Sequence, residues 1–263
     1  MASKILVDEL APHAHATDVT LTTGKNITGA NTQFKITGGS SGNVLTTDGS
    51  GVLTWGAIAA GFTDAHVDVS SGSVVYSVPT GVTKLLVFIT GGGGSGAAGK
   101  TAYGNGGGGC SAGTVMARVT VVAADTITLV IGAGGAQTAD SSEAAANVGG
   151  DSSFTHSTGT GSFDAITAPG GRAGPQINIL PTLPVTPTVG SSNAGIAIKG
   201  GISPTSDGAA SFWGGGGSTA VHSQTTSLAG FPFGSGGGGG TYSAGRFYGS
   251  AGADGVCFIM EFK

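Results

Sequence analysis

Four uninterrupted glycine runs constrain this chain more than any other feature: Gly91–Gly94, Gly106–Gly109, Gly214–Gly217 and Gly236–Gly240. In a regular element each glycine costs ~0.5–1 kcal/mol relative to alanine, so a folded chain needs a compensating reason to carry them. Each run lies beside an apolar or aromatic stretch, unlike the polar surroundings of a Gly/Ser linker. The first follows Lys84-Leu85-Leu86-Val87-Phe88-Ile89-Thr90, and the last precedes Val256-Cys257-Phe258-Ile259-Met260-Glu261-Phe262. Glycine makes up 53 of 263 residues, against a usual ~7 %. Charged residues are only 9 %, hydrophobic residues 39 % and net charge −4, a balance that argues against a disordered chain. No strict Gly-X-Y period runs through the sequence, which excludes a collagen helix.

A glycine run can adopt an extended helix of three residues per turn, rising ~3.1 Å per residue. Without Cβ atoms such rods approach closely, and their sideways N–H and C=O groups can pair with neighbours. The expected architecture is mainly β. A β-sandwich-like core over 67–90, 114–131 and 255–262 anchors glycine-rich segments, some of them polyglycine-II rods. Glycine loops decorating an ordinary sandwich are the alternative.

The chain reads as two regions, 1–60 and 61–263. In the first, Val19–Thr22, Gln33–Ile36, Asn43–Thr46 and Val52–Trp55 alternate as short strands, with glycines as turns between them. They are too sparse to bury a core alone and would gain one by packing with other copies about an axis. Residues 57–66 read as a connector. Residues 155–212 carry the least periodic sequence, and within them Pro175–Pro187, with four prolines, is expected to be an excursion or loop. No helix of three turns is expected anywhere.

Several functional classes drop away. A sequence pI of 5.6 and ten scattered Lys and Arg residues give no basic face for nucleic acid. No segment approaches the ~18–20 apolar residues of a membrane-spanning helix. Met1–Glu9 mixes charges into its short apolar run, unlike a signal peptide. Cys110 and Cys257 sit beside apolar strands and read as small buried hydrophobes rather than a disulfide.

Gly94-Ser95-Gly96-Ala97-Ala98-Gly99-Lys100-Thr101 matches the phosphate-binding pattern G-x-x-x-x-G-K-[ST]. The residues that follow, Ala102 to Gly109, cannot form the helix whose N-terminus that site requires. Acids at Asp140, Glu143, Asp151 and Asp164 form no recognisable catalytic frame, and the chain is not read as an enzyme. The more informative residues are aromatics inside glycine-rich stretches: Tyr103, Trp213, Phe231, Phe233, Tyr242, Phe247 and Tyr248. Exposed, they would stack on sugars or fill pockets on a partner; buried, they would seal a floor beneath the glycine segments.

Gly42–Trp55, ending in Trp followed by Gly56, resembles a stretch of bacteriophage tail-fibre proteins. The array from Tyr76 through Pro79 and Gly81, then Asp125–Gly135, Gly149–Phe154 and Gly252–Ile259, resembles the glycine-rich domain of phage tail-fibre and tail-tip adhesins. Cys257 and Met260 depart from the β-branched residues expected there. The resemblance implies a homotrimeric virion subunit made in the host cytoplasm. Residues 1–60 would attach it to other tail proteins, and 61–263 would display loops that bind a host glycan or outer-membrane protein. It also implies that His13 and His15, an H-x-H pair, could place imidazoles around an axial metal ion; two solvated histidines are the plainer alternative. A virion decoration without a receptor, or a glycan-degrading tailspike, are the competing functions.

Overall fold

Lys84–Thr90, the most continuous apolar run, becomes the central strand of a five-stranded sheet in the computed structural model. The model describes residue 40 and residues 43–47, 53–57, 61–99, 106–138, 146–175, 185–203, 205–219, 228–240 and 248–263. The chain divides into two compact units, 1–58 and 59–263. In the first, β1 (Asn43–Thr47) and β2 (Leu53–Ala57) pair antiparallel, with Leu45 opposite Trp55. The expected strands at Val19–Thr22 and Gln33–Ile36 lie outside the described residues.

The second unit contains the remaining strands: β3 (Phe62–Asp68), β4 (Gly72–Ser77), β5 (Lys84–Thr90), β6 (Thr114–Thr120), β7 (Thr126–Ile131), β8 (Ser152–Thr158), β9 (Ile166–Ala168), β10 (Ala194–Ile198) and β11 (Val256–Phe262). They form two antiparallel sheets, ordered β10-β6-β5-β11-β3 and β4-β7-β8-β9. Successive side chains alternate between the faces of a strand. Leu85, Val87 and Ile89 therefore point inward with Val115, Ala117 and Val119, and meet Ile127, Leu129, Ile131, Phe154 and Ile166 of the other sheet. Cys257 lies in this core and both cysteines are free and buried, as the sequence suggested. Burial, then the negative charge of Asp68, pushes the Cys257 thiol well above its ordinary pKa. A polar bond crosses between the sheets within this core: the Tyr76 hydroxyl donates to Glu261 Oε1 at 2.7 Å.

At one end of this sandwich the strands run on as glycine-rich segments. β5 continues into 91–99, β7 into 132–138 and β9 into 169–175, while 106–113, 146–151 and 249–255 lead into β6, β8 and β11. Ser152 pins the boundary. Its hydroxyl accepts from Gly132 N–H at 2.9 Å and donates to the Thr90 carbonyl at 2.8 Å.

Residues 91–97 form the middle of the array, and their backbone bonds repeat every three residues. Gly91, Gly94 and Ala97 donate to the carbonyls of Gly113, Cys110 and Gly107. Gly92 and Ser95 donate to Gly150 and Asn147, and Gly93 and Gly96 to Ala253 and Ser250. Each set advances by three along the central segment while its partner retreats by three, so all three neighbours run antiparallel. The central carbonyls accept from three further segments: Gly92 from Gly171, Gly93 from Gly135, and Gly94 from Gly237. Six segments thus surround one, and every N–H from Gly91 to Ala97 is paired, as burial demands.

The same geometry explains the amino acid. A Cβ on Gly91 would lie 2.6 Å from the Pro169 carbonyl oxygen, and one on Gly94 would overlap the Arg172 carbonyl. These are backbone atoms of neighbouring segments, with no side chain able to swing aside. One side chain the array does carry makes a bond within it: Ser95 Oγ accepts from Asn147 N–H at 2.7 Å.

Two segments differ from the sequence expectation. The expected connector at 57–66 includes most of β3, whose residues are largely exposed because it is an edge strand paired only to β11. The least periodic stretch, 155–212, contributes β9 and β10, strands that its sequence did not announce, and β10 lies against β6 with Ile196 opposite Met116. Among the described residues there is no helix.

Candidate functional site

Glycine segments that leave the sheets together also end together. Remote from the sandwich, Gly106 donates to Gly240, Gly240 to Ala97, and Thr138 to Gly249. The ends of segments 91–99, 106–113, 132–138, 234–240 and 249–255 therefore meet at one face of the array. Connections 100–105, 139–145 and 241–247 depart from these ends, and they lie outside the described residues. Tyr103 is in the first; Tyr242 and Phe247 are in the third. Tyr248, half-buried, stands where the third re-enters the array.

The other candidate aromatics gather elsewhere, at the boundary between sheets and glycine segments. Trp213 is half-buried, and its Nε1–H donates to Thr90 Oγ1, the last side chain of β5, at 2.8 Å. Phe212 and Phe233 meet the indole edge-on, with ring centroids 5.1 and 6.5 Å away. Phe231, at 81 % exposure, is the most open large hydrophobic residue described. A Cβ on Gly214 would lie 2.8 Å from Pro232, so the 211–214 turn packs directly on the 231–234 turn. Trp213 and Phe233 are thus anchored side chains, and Phe231 projects from them. Phe212 was not picked out from the sequence, although its place beside Trp213 was available as a signal.

Over Gly94 to Ala97 the phosphate-loop match has no free amides to offer. The N–H groups of Gly94, Ser95, Gly96 and Ala97 all donate to carbonyls of neighbouring segments. A cradle for phosphate needs those groups unpaired.

The described carboxylates serve as braces. Asp125 accepts from the amides of Val122, Thr160 and Gly161. Its burial raises the pKa, but these amides and the His156 ring 3.6 Å away outweigh burial and hold the carboxyl below its ordinary value. Asp164 is likewise lowered, by the Ser191 hydroxyl and the Ser192 amide. Asp151 holds the Gly170 amide, Asp254 the Gly134 amide, and Asp207 both the amide and the hydroxyl of Thr219. Asp140 and Glu143 lie outside the described residues, as do His13 and His15. No cluster of three or more His, Cys, Asp or Glu suited to a metal ion occurs among the described residues.

What this arrangement can do is bring several connections together at one end of a hydrogen-bonded array. Residues 68–260 match the family model described as "Glycine-rich domain", which covers most of the chain, and the chain belongs to that family. No curated protein matches it.

Proposed function

We propose that this member of the glycine-rich domain family is a non-enzymatic adhesion subunit of a bacteriophage tail fibre or tail tip. In this reading, residues 61–263 display host-binding loops and residues 1–60 attach and trimerise the subunit on the virion. The observation that carries it is the common departure of connections 100–105, 139–145 and 241–247 from one end of the glycine array. Binding loops are disproportionately held this way, variable in sequence on a rigid scaffold. The three-residue repeat of backbone bonds further supports reading the rods as polyglycine-II helices. Tyr103, Tyr242 and Phe247 would supply aromatic contacts to a glycan or outer-membrane protein. Three copies on one axis would raise the effective concentration of weak individual sites.

The test replaces 100–105 and 241–247 with Gly/Ser segments of equal length and measures particle adsorption to host cells. A loss of at least about tenfold with an unchanged melting temperature is expected, since avidity multiplies small losses per site. Unchanged adsorption by well-assembled particles would overturn receptor binding in favour of a decoration role. Sugar release from host polysaccharide would overturn the non-enzymatic reading. Light scattering of the full chain should give three times the chain mass; a monomer would remove the trimer.

A further inference from the structure

At the end of the sandwich opposite the glycine array, the outer face of the five-stranded sheet holds a cavity of about 320 Å³ lined by Lys84, Leu86, Arg118, Phe262 and Lys263. The register builds it. Lys84 and Leu86 are two residues apart on β5 and share the outward face. Arg118 lies directly opposite Leu86 on β6, and Phe262 directly opposite Lys84 on β11. Lys263 follows at the strand end, its aliphatic chain resting over Gly81. Three of the five described Lys and Arg residues thus converge on one hollow of a chain whose net charge is −4. None of the three forms an ion pair among the described residues. Like charges gathered this closely repel, and an anion between them would relieve that repulsion.

The rest of the hollow is apolar and extends beyond it. Met260 is opposite Leu86, and the next row along the sheet sets Ile196, Met116, Phe88, Phe258 and Val67 in register across all five strands. Phe88 and Phe258 touch edge to face at 6.1 Å. The cavity sits on the three inner strands, where the backbone groups are already engaged in the sheet. An acidic peptide would find no free sheet edge to pair with there. A ring-bearing anion needs none: its charge meets Arg118 and the lysines, and its faces lie on Phe262 and the apolar floor.

We infer that this cavity is a binding site for an anionic sugar, with Arg118 as the fork that grips its carboxylate or sulfate group. Arginine suits this role through paired N–H donors in a fixed plane. The volume lies at the lower end of small-ligand sites, sized for one sugar unit of a longer chain. The inference stands apart from the adhesin reading, because it uses neither the connections at the far end nor the trimer.

The full chain is titrated by calorimetry with trigalacturonate, a sulfated heparin disaccharide, maltotriose and hexaglutamate. Trigalacturonate or the sulfated disaccharide should bind and weaken at least tenfold in Lys84→Gln/Arg118→Gln; whichever binds tighter identifies the anion. Lys199→Gln, removing an exposed cation outside the cavity, should leave affinity unchanged. All replaced side chains are exposed, so both variants should melt like the parent, and a matching melting curve confirms that a loss is local. Equal affinity in the double variant, equal binding of maltotriose, or no binding of either anionic sugar would overturn the proposal. Tighter binding of hexaglutamate would overturn it in favour of an acidic protein partner.

Discussion

Gly94→Ala is expected to leave the 59–263 unit largely unfolded, while Gly215→Ala should be nearly silent. Both replacements add one methyl group to a glycine run, so helix or strand propensity cannot separate them. Their surroundings can. A Cβ at Gly94 would overlap the Arg172 carbonyl and come within 3.0 Å of the Gly171 carbonyl oxygen, whereas one at Gly215 would meet nothing within 4 Å. Overpacking an ordinary core costs ~1–3 kcal/mol because side chains can shift. Here the obstacle is backbone, in a segment tied to six others. Relief would require moving a whole segment and breaking its bonds, so the cost should exceed the ~4–5 kcal/mol that marks an exceptional single substitution. A domain's total stability is only ~5–15 kcal/mol. Gly215 is exposed and has no positive φ, so alanine there should change stability by no more than about 0.5 kcal/mol, as at most surface positions. Urea unfolding followed by circular dichroism separates the two outcomes.

The second large effect belongs to the sandwich. Phe154 on β8 is fully buried, opposite Leu129 on β7, and stacks on Phe163 with centroids 5.5 Å apart. Phe154→Ala removes most of that volume from the core the two sheets share and should cost ~3–5 kcal/mol. For a unit of this size each kcal/mol lowers the melting temperature by ~2–4 °C, so calorimetry should show a drop of roughly 6–20 °C. A drop of under 2 °C would mean that the two sheets do not share one core. The glycine array and the sandwich are covalently continuous through most of their strands. The Phe154→Ala variant should therefore melt the unit in a single transition.

How much of this could be read from the sequence depended on what each segment touches. β5 and β11 were legible as nearly continuous apolar runs too short for a helix, and β6 and β7 as strand-like runs rich in Thr, Val and Ile, joined by the short Ala123-Ala124-Asp125 link of a hairpin. β3 was not, because Phe-Thr-Asp-Ala-His-Val-Asp at a sheet edge buries too little to show a period. β10, Ala-Gly-Ile-Ala-Ile, is short and exposed, and its place comes from pairing with β6 rather than from its own pattern. Close backbone packing was an expectation from glycine alone. Which segment meets which was not, since Gly93 gives no sign of Ala253 or Gly135 as partners. The anchoring of Trp213 on Thr90 was equally hidden, being a contact between positions 123 residues apart. The cationic cavity was invisible for the same reason: Lys84, Arg118 and Lys263 are single charges in sequence and neighbours only through register.

The central claim is that the glycine runs are a hydrogen-bonded interior rather than surface loops, and native-state amide hydrogen exchange tests it most directly. Amides that open only with the whole structure exchange at the rate set by global stability, while loop amides exchange through small local openings. The account predicts that the amides of Gly92 to Ala97 exchange as slowly as those of Leu85, Val87 and Ile89 in β5, and that destabilising the protein speeds both groups together. Exchange of Gly92 to Ala97 within minutes, with β5 still protected, would contradict it and return these residues to the loops of an ordinary sandwich.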